Sequence, residues 1–238
     1  MKVTAVVLAG GRGTRLANLY PDIPKPLVPV CGEPFVHWVT SWLVEQGVSD
    51  IVYSIGYRAE QMICWIEQAQ ARWPATLRWV SEDEPLGTAG GVLQALPLCA
   101  DHVLVLNGDS LAIAPLGPLL ARAEGGDGAI LGVRMADAGR YGSLSLDAAG
   151  RLTGFAEKRP GAGVINAGVY LFRRALLEPL PRGRRLSMEE EVFPGLVARG
   201  ATLLCEVAEN AAFLDIGTPE SVVEAENFIR ANFGPSSL

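Results

Sequence analysis

An α/β fold, with a mostly parallel sheet flanked by helices, is what this 238-residue sequence predicts, on three observations. Residues 3–8 form a nearly unbroken apolar, β-branched run, as expected of a strand buried on both faces. Strand-like and helix-like runs then alternate, which calls for parallel strands joined by crossover helices. Two of the strand-like runs end in glycine-rich loops, one at Gly10-Gly11-Arg12-Gly13 and one at Gly87-Thr88-Ala89-Gly90-Gly91. In an open α/β sheet such loops gather beyond the carboxyl ends of the strands, where ligands bind.

The elements follow in order. Residues 34–47 place Phe35, Trp38, Val39, Trp42 and Leu43 at helical spacing, with Pro at the start and Gly just past the end. A strand is expected at Asp50–Ile55, a helix over 58–72, a strand at 76–80 and a short helix reaching Leu96. Residues 102–106 form a second strongly apolar strand that ends in Asn107-Gly108-Asp109-Ser110; a helix at 115–124 and a strand at 128–134 come next. The character then changes. Residues 141–155 alternate and turn like a β-hairpin, and a strand is expected at 164–172. Ser187-Met188-Glu189-Glu190 reads as a capping box for a helix reaching Arg199, its three glutamates forming a solvated first turn. Strands at 201–207 and 212–214 precede a last helix capped by Thr218, with Pro219 at its first position. The organisation expected is one domain over 1–238, with a nucleotide-binding half at about 1–135 and a small β-rich half at about 136–238.

Composition narrows the function classes. A net charge of −6 argues against nucleic acid as a partner, which needs a basic footprint. The apolar runs are short and broken, so no membrane span is expected, and the chain passes directly into a strand, so a cytoplasmic setting is expected. Cys31, Cys64, Cys99 and Cys205 form no CxxC pair and read as reduced, mostly buried thiols. With only His37 in a helix and His102 at a strand start, histidine acid–base chemistry is not expected. Seventeen arginines stand against three lysines, Lys2, Lys25 and Lys158. An ammonium acts on phosphate as a compact point charge, which singles out Lys25 between two prolines and Lys158 after Glu157.

The loop after the first strand exposes backbone N–H groups and, being glycine-rich, lets phosphate approach closely. It lacks the final Gly-Lys-Ser/Thr of a P-loop, and Leu16 stands where a dinucleotide fingerprint needs a small residue. A tight turn without a ligand is the alternative. The second loop reads either as a second wall for a nucleotide or as a helix start capped by Thr88. Asp109, at the tip of a buried strand, reads either as a turn residue or as an oxygen ligand of the kind Mg²⁺ takes. The tryptophans Trp38, Trp42 and Trp65 suit either the core or an interface, which leaves a homo-oligomer open.

These residues, taken together, resemble the sugar-1-phosphate nucleotidylyltransferases, or nucleotide-sugar pyrophosphorylases. The resemblance runs from Val3 to about Phe228 and rests on residues 8–16 with Pro24-Lys25-Pro26, residues 84–91, Asn107-Gly108-Asp109, Glu157-Lys158, Asn166-Ala167-Gly168 and Asp215-Ile216-Gly217-Thr218-Pro219. It implies a Rossmann-like α/β fold of the nucleotide-diphospho-sugar transferase type, with a sugar-binding second half. Within the family, the phrases at 23–27, 84–91, 140–142 and 213–219 look most like the D-glycero-D-manno-heptose 1-phosphate guanylyltransferases. Mannose-1-phosphate guanylyltransferases and N-acetylmuramate- or hexose-1-phosphate uridylyltransferases share much of the same text.

The implied chemistry is attack of a sugar 1-phosphate on the α-phosphorus of a nucleoside triphosphate, GTP in the subfamily, with release of pyrophosphate. By the resemblance Arg15 and Lys25 would grip the triphosphate, with Leu8, Ala9, Gly10, Gly11, Gly13 and Thr14 around it. Glu84, Gly87 and Thr88 would border the base. Asp109 and Asp215 would hold Mg²⁺, Asp109 joining Arg15 and Lys25 as catalytic. Lys158 would bind the sugar phosphate, and Glu157 and Asn166 the sugar hydroxyls. Two rivals stand beside this reading: a GT-A glycosyltransferase, whose usual Asp-x-Asp is replaced here by Asn107-Gly108-Asp109, and a non-catalytic nucleotide-sugar sensor.

Overall fold

The computed structural model describes residues 1–13, 15–16, 18–156 and 160–234. The chain opens with β1 (Val3–Ala9) and a long loop carrying a 3₁₀ turn at Lys25–Leu27, then a short ribbon of β2 (Pro29–Val30) and β3 (Glu33–Pro34). There follow α1 (Phe35–Glu45), β4 (Asp50–Ile55), α2 (Ala59–Ala69), β5 (Thr76–Ser81), α3 (Gly87–Ala95), β6 (His102–Asn107), β7 (Ser110–Ile113) and α4 (Leu116–Glu124). The second half comprises β8 (Gly128–Met135), β9 (Ser143–Leu146), β10 (Leu152–Ala156), β11 (Gly163–Arg173) and α5 (Arg174–Leu177). A π turn at Met188–Val192, α6 (Phe193–Ala198), β12 (Leu203–Ala208), β13 (Ala212–Asp215) and α7 (Pro219–Asn232) complete it.

The main sheet runs β5-β4-β1-β6-β11-β9-β10, with β8 also paired to β11 and β12 to β8. β1, β4, β5 and β6 are parallel, as the alternating pattern requires. β11 enters antiparallel to both β6 and β8, a direction its apolar run does not encode, and so joins both halves of the chain into one sheet.

Because β1 is apolar at successive positions, it serves both layers. Ala5, Val7 and Ala9 pack with Trp38 and Leu43 of α1 and Ile229 of α7, whereas Val6 packs with Val92 of α3 and Phe193 of α6. Burying each large side chain contributes roughly 1.5–3 kcal/mol, enough in sum to hold the carboxyl ends of the strands rigid. Trp38 and Trp42 are almost fully buried, so those two tryptophans belong to the core. No helix among the described residues is long and apolar enough to cross a membrane.

The strand order places the site. After β1 the chain builds outward to β4 and β5, then returns to the other side of β1 as β6. The crevice at the carboxyl ends of β1 and β6 is therefore a topological switch point. Gly108 closes that end: its N–H donates to the Leu8 carbonyl at 2.9 Å, and a Cβ there would lie 2.6 Å from the same oxygen. Only glycine allows this approach, which fixes where the next residue, Asp109, emerges.

Candidate active site

The short strand β7, which the sequence reading does not anticipate, pairs antiparallel with β13 so that Ser110 faces Asp215. The Ile216 N–H donates to the Asp109 carbonyl at 3.0 Å, extending the same pairing. Two aspartates from distant parts of the chain thereby meet at one edge of the crevice. Lys25 joins them from the first loop. Its Nζ lies 2.5 Å from Asp109 Oδ2 and 4.0 Å from Asp215 Oδ1, and its side chain is 12% exposed. The Lys25–Leu27 turn, with Pro24 before it and buried Pro26 within it, sets the direction of that side chain. Gly13 lies over the stem, where an added Cβ would stand 3.0 Å from Lys25 Cβ.

The electrostatics follow from this crowding. Burial and the neighbouring Asp109 carboxylate raise the pKa of Asp215 above the usual carboxylate range, against the opposing pull of Lys25, the Gly217 N–H and Arg15. A cation at this place is favoured, since it would relieve the repulsion between two neighbouring carboxylates.

Beside the triad lies a cavity of about 270 Å³. The expected residues Leu8, Ala9, Gly10, Gly11, Lys25, Gly87, Thr88 and Asp109 line it. Arg15 is exposed, close enough to Asp215 to lower its pKa. Glu84 is exposed and is not among the residues lining the cavity. Of the acidic run at 82–84, the carboxylate that lines it is Glu82, whose Oε1 accepts from Ser54 Oγ at 3.0 Å and Oε2 from the Leu86 N–H at 2.9 Å. Strand alternation carries that signal, because Glu82 stands two residues beyond Val80, which packs on the inner layer. Asn107, which also lines the cavity, is a wall residue to which the sequence reading assigns no role.

Thr88 does not cap α3, whose N-cap position is Leu86 without a side-chain cap bond. Its Oγ1 instead accepts from the Met188 N–H at 2.7 Å and donates to Glu189 Oε2 at 3.1 Å. Gly87 makes this junction possible: it adopts φ +73°, and a Cβ there would lie 2.7 Å from the Leu186 carbonyl. The capping box at Ser187 is altered in the same region. Ser187 Oγ accepts from the Glu190 N–H at 3.1 Å, but Glu191, not Glu190, accepts from the Ser187 N–H, at 3.2 Å. The π turn inserts the extra residue that shifts the partner by one. It also turns Glu189 inward, contrary to the expectation of three solvated glutamates. Asn166 is half-buried, its Oδ1 accepting from the Gly168 N–H at 2.9 Å and its Nδ2 donating to the Tyr170 hydroxyl at 2.8 Å. Thr14, Glu157 and Lys158 lie outside the described residues.

A glycine loop at a switch point, a desolvated lysine and two converging carboxylates make an arrangement suited to holding phosphates rather than to a covalent nucleophile. That defines the class, an α/β enzyme of phosphate-bearing nucleotides. The chain belongs to the nucleotidyl transferase family, whose model matches residues 4–232. It is 34% identical over 240 residues to a mannose-1-phosphate guanylyltransferase of Mycobacterium tuberculosis, covering 99% of this chain and 67% of that protein. Against a D-glycero-alpha-D-manno-heptose 1-phosphate guanylyltransferase of Campylobacter jejuni it is 29% identical over 220 residues, covering 91% and 95%. The crystal structure of HddC from Yersinia pseudotuberculosis complexed with GMP-PN superposes with a TM-score of 0.87 at 31% identity, covering 97% of this chain and 100% of that one.

Proposed function

We propose that this protein transfers a guanylyl group from GTP to D-glycero-D-manno-heptose 1-phosphate, releasing pyrophosphate. The observation that carries this reading is the meeting of Lys25, Asp109 and Asp215 beside a glycine-lined cavity at the β1/β6 switch point. Two anions must be brought into line, so positioning and charge neutralisation supply most of the catalysis. Gly10 and Gly11 border the triphosphate with their backbone, and Arg15 and Lys25 offset the charge that develops around the α-phosphorus. Glu82 orders the Leu86–Thr88 wall against which the base rests. Asn166 offers the remaining amide proton and lone pair to sugar hydroxyls. Glu157 and Lys158, from the same resemblance, belong to the sugar-phosphate side.

The donor set suits a divalent cation of the Mg²⁺ kind, which takes one or two carboxylates and completes its shell with water and substrate phosphates. Asp109 and Asp215 would hold it, and when bound it supplies charge neutralisation to the phosphates. A cytoplasmic setting, where GTP is abundant, accords with this activity.

Heptose is favoured by the likeness to the Campylobacter heptose 1-phosphate guanylyltransferase, at 29% identity, together with the fold match to HddC, at a TM-score of 0.87. Mannose 1-phosphate is the second reading, favoured by the 34% identity to the mycobacterial protein. The test is a pyrophosphate-release matrix of four nucleoside triphosphates against heptose, mannose, glucose and N-acetylmuramate 1-phosphates. GTP with the heptose should give the highest kcat/KM; a preference for UTP or dTTP would overturn the guanylyl assignment.

A further inference from the structure

Glu189 sits at the junction of two walls that face different substrates, and its surroundings are chemically one-sided. Three hydroxyls point at it: Thr88 and Ser187 donate to Oε2, and Tyr170 donates to Oε1 at 3.0 Å. Each hydroxyl oxygen is already occupied as an acceptor, by the Met188 N–H, the Glu190 N–H and the Asn166 amide respectively. Each places its single proton on Glu189. A carboxylate, being acceptor-only, takes all three protons, whereas the NH₂ half of a carboxamide could take none.

The Tyr170 arm reaches the sugar side. The Gly168 N–H fixes Oδ1 of Asn166, so Nδ2 must face the Tyr170 oxygen, whose own proton goes to Glu189. This one-way chain of donors leaves Asn166 a single orientation. The Tyr170 ring is fully buried, and burial together with the Glu189 carboxylate raises its pKa well above the ordinary phenol value, so it keeps that proton. The Thr88 arm reaches the nucleotide side, since Thr88 lines the cavity. The π turn is what aims Glu189 at both, and such turns recur at functional sites.

The geometry points to Glu189 as a positioning residue that sets the nucleotide wall and the sugar-facing amide in register through two separable arms, Thr88 and Tyr170. This rests on the guanylyl-transfer reading. The test uses the full chain and the variants Glu189→Gln, Tyr170→Phe and Thr88→Val, with KM measured for GTP and for the sugar 1-phosphate that the unaltered protein uses best. Glu189→Gln should raise both KM values about tenfold, the scale of one or two lost hydrogen bonds. Tyr170→Phe should raise only the sugar-phosphate KM, and Thr88→Val only that for GTP. Phenylalanine and valine keep the shapes they replace, so the arms stay testable if Glu189→Gln folds poorly. Unchanged KM values, an equal rise in both from either single-arm variant, or a fall in thermal midpoint alone would overturn the inference. Failure of the unaltered protein to turn over any sugar 1-phosphate would instead overturn the reading on which it rests.

Discussion

Replacing Lys25 with methionine keeps the packed stem and deletes the ammonium that serves Asp109, Asp215 and, in the proposed reaction, the triphosphate. Its Nζ is 2.5 Å from one carboxylate and 4.0 Å from the other in a partly desolvated crevice. Unit charges at about 4 Å attract by roughly 4 kcal/mol at an effective dielectric of 20, before desolvation is subtracted. The aspartate side chains are 36% and 38% exposed, so the loss in folding stability should be only about 1–2 kcal/mol. The catalytic loss should be larger: removing a preorganised donor to developing charge costs about 3–4 kcal/mol, or roughly 10²–10³ in kcat. Pyrophosphate release at saturating GTP and sugar 1-phosphate measures the second quantity, and a metal-free thermal melt the first. Adding Asp215→Asn to the methionine variant should restore part of the melt by removing one of the two carboxylates that lost their shared ammonium, without restoring turnover. Turnover of the single variant within threefold of the unaltered protein would refute the role given to Lys25.

Asp215→Asn alone should abolish turnover yet stabilise the metal-free protein at neutral pH. Its folded-state pKa is raised by burial and Asp109, so the ionised form costs stability: nothing below the unfolded value of about 3.9, and the full amount above the folded value. Melting temperature should accordingly fall as pH rises through that window, and the asparagine variant should lack the fall. Gly108→Ala should destabilise by about 1–3 kcal/mol, read by denaturant unfolding, because its Cβ would meet the Leu8 carbonyl at 2.6 Å. Glu82→Gln should raise the GTP KM about tenfold by unpairing the wall it orders, whereas Glu84→Ala should leave it within about twofold.

What the sequence discloses here depends on how local the signal is. β1, β4 and β6 are legible because a strand buried on both faces must be apolar at successive residues, and α7 because Thr218 and Pro219 begin it. Lys25 stands out because lysine is rare in this chain. β7 and β13 are not legible as a pair: four residues each carry little periodicity, and what brings Asp215 to Asp109 is their register. Likewise Glu82, Asp83 and Glu84 are one acidic run in the sequence, and the end of β5 decides which carboxylate turns inward. Glu189 was hidden by a local rule that nearly holds. The Ser-x-x-Glu spacing predicts an α-helical capping box, and one extra residue in the π turn hands the return bond to Glu191 and sends Glu189 to the interior.

The proposed reaction joins two anions without a covalent enzyme intermediate, and following the α-phosphorus tests this most directly. GTP labelled at that phosphorus should be incubated with Mg²⁺ and heptose 1-phosphate. The label should appear in the nucleotide-sugar in step with pyrophosphate, require the sugar phosphate, and vanish together with pyrophosphate in Lys25→Met and Asp215→Asn. Label in GDP, or retained on the protein, would contradict it.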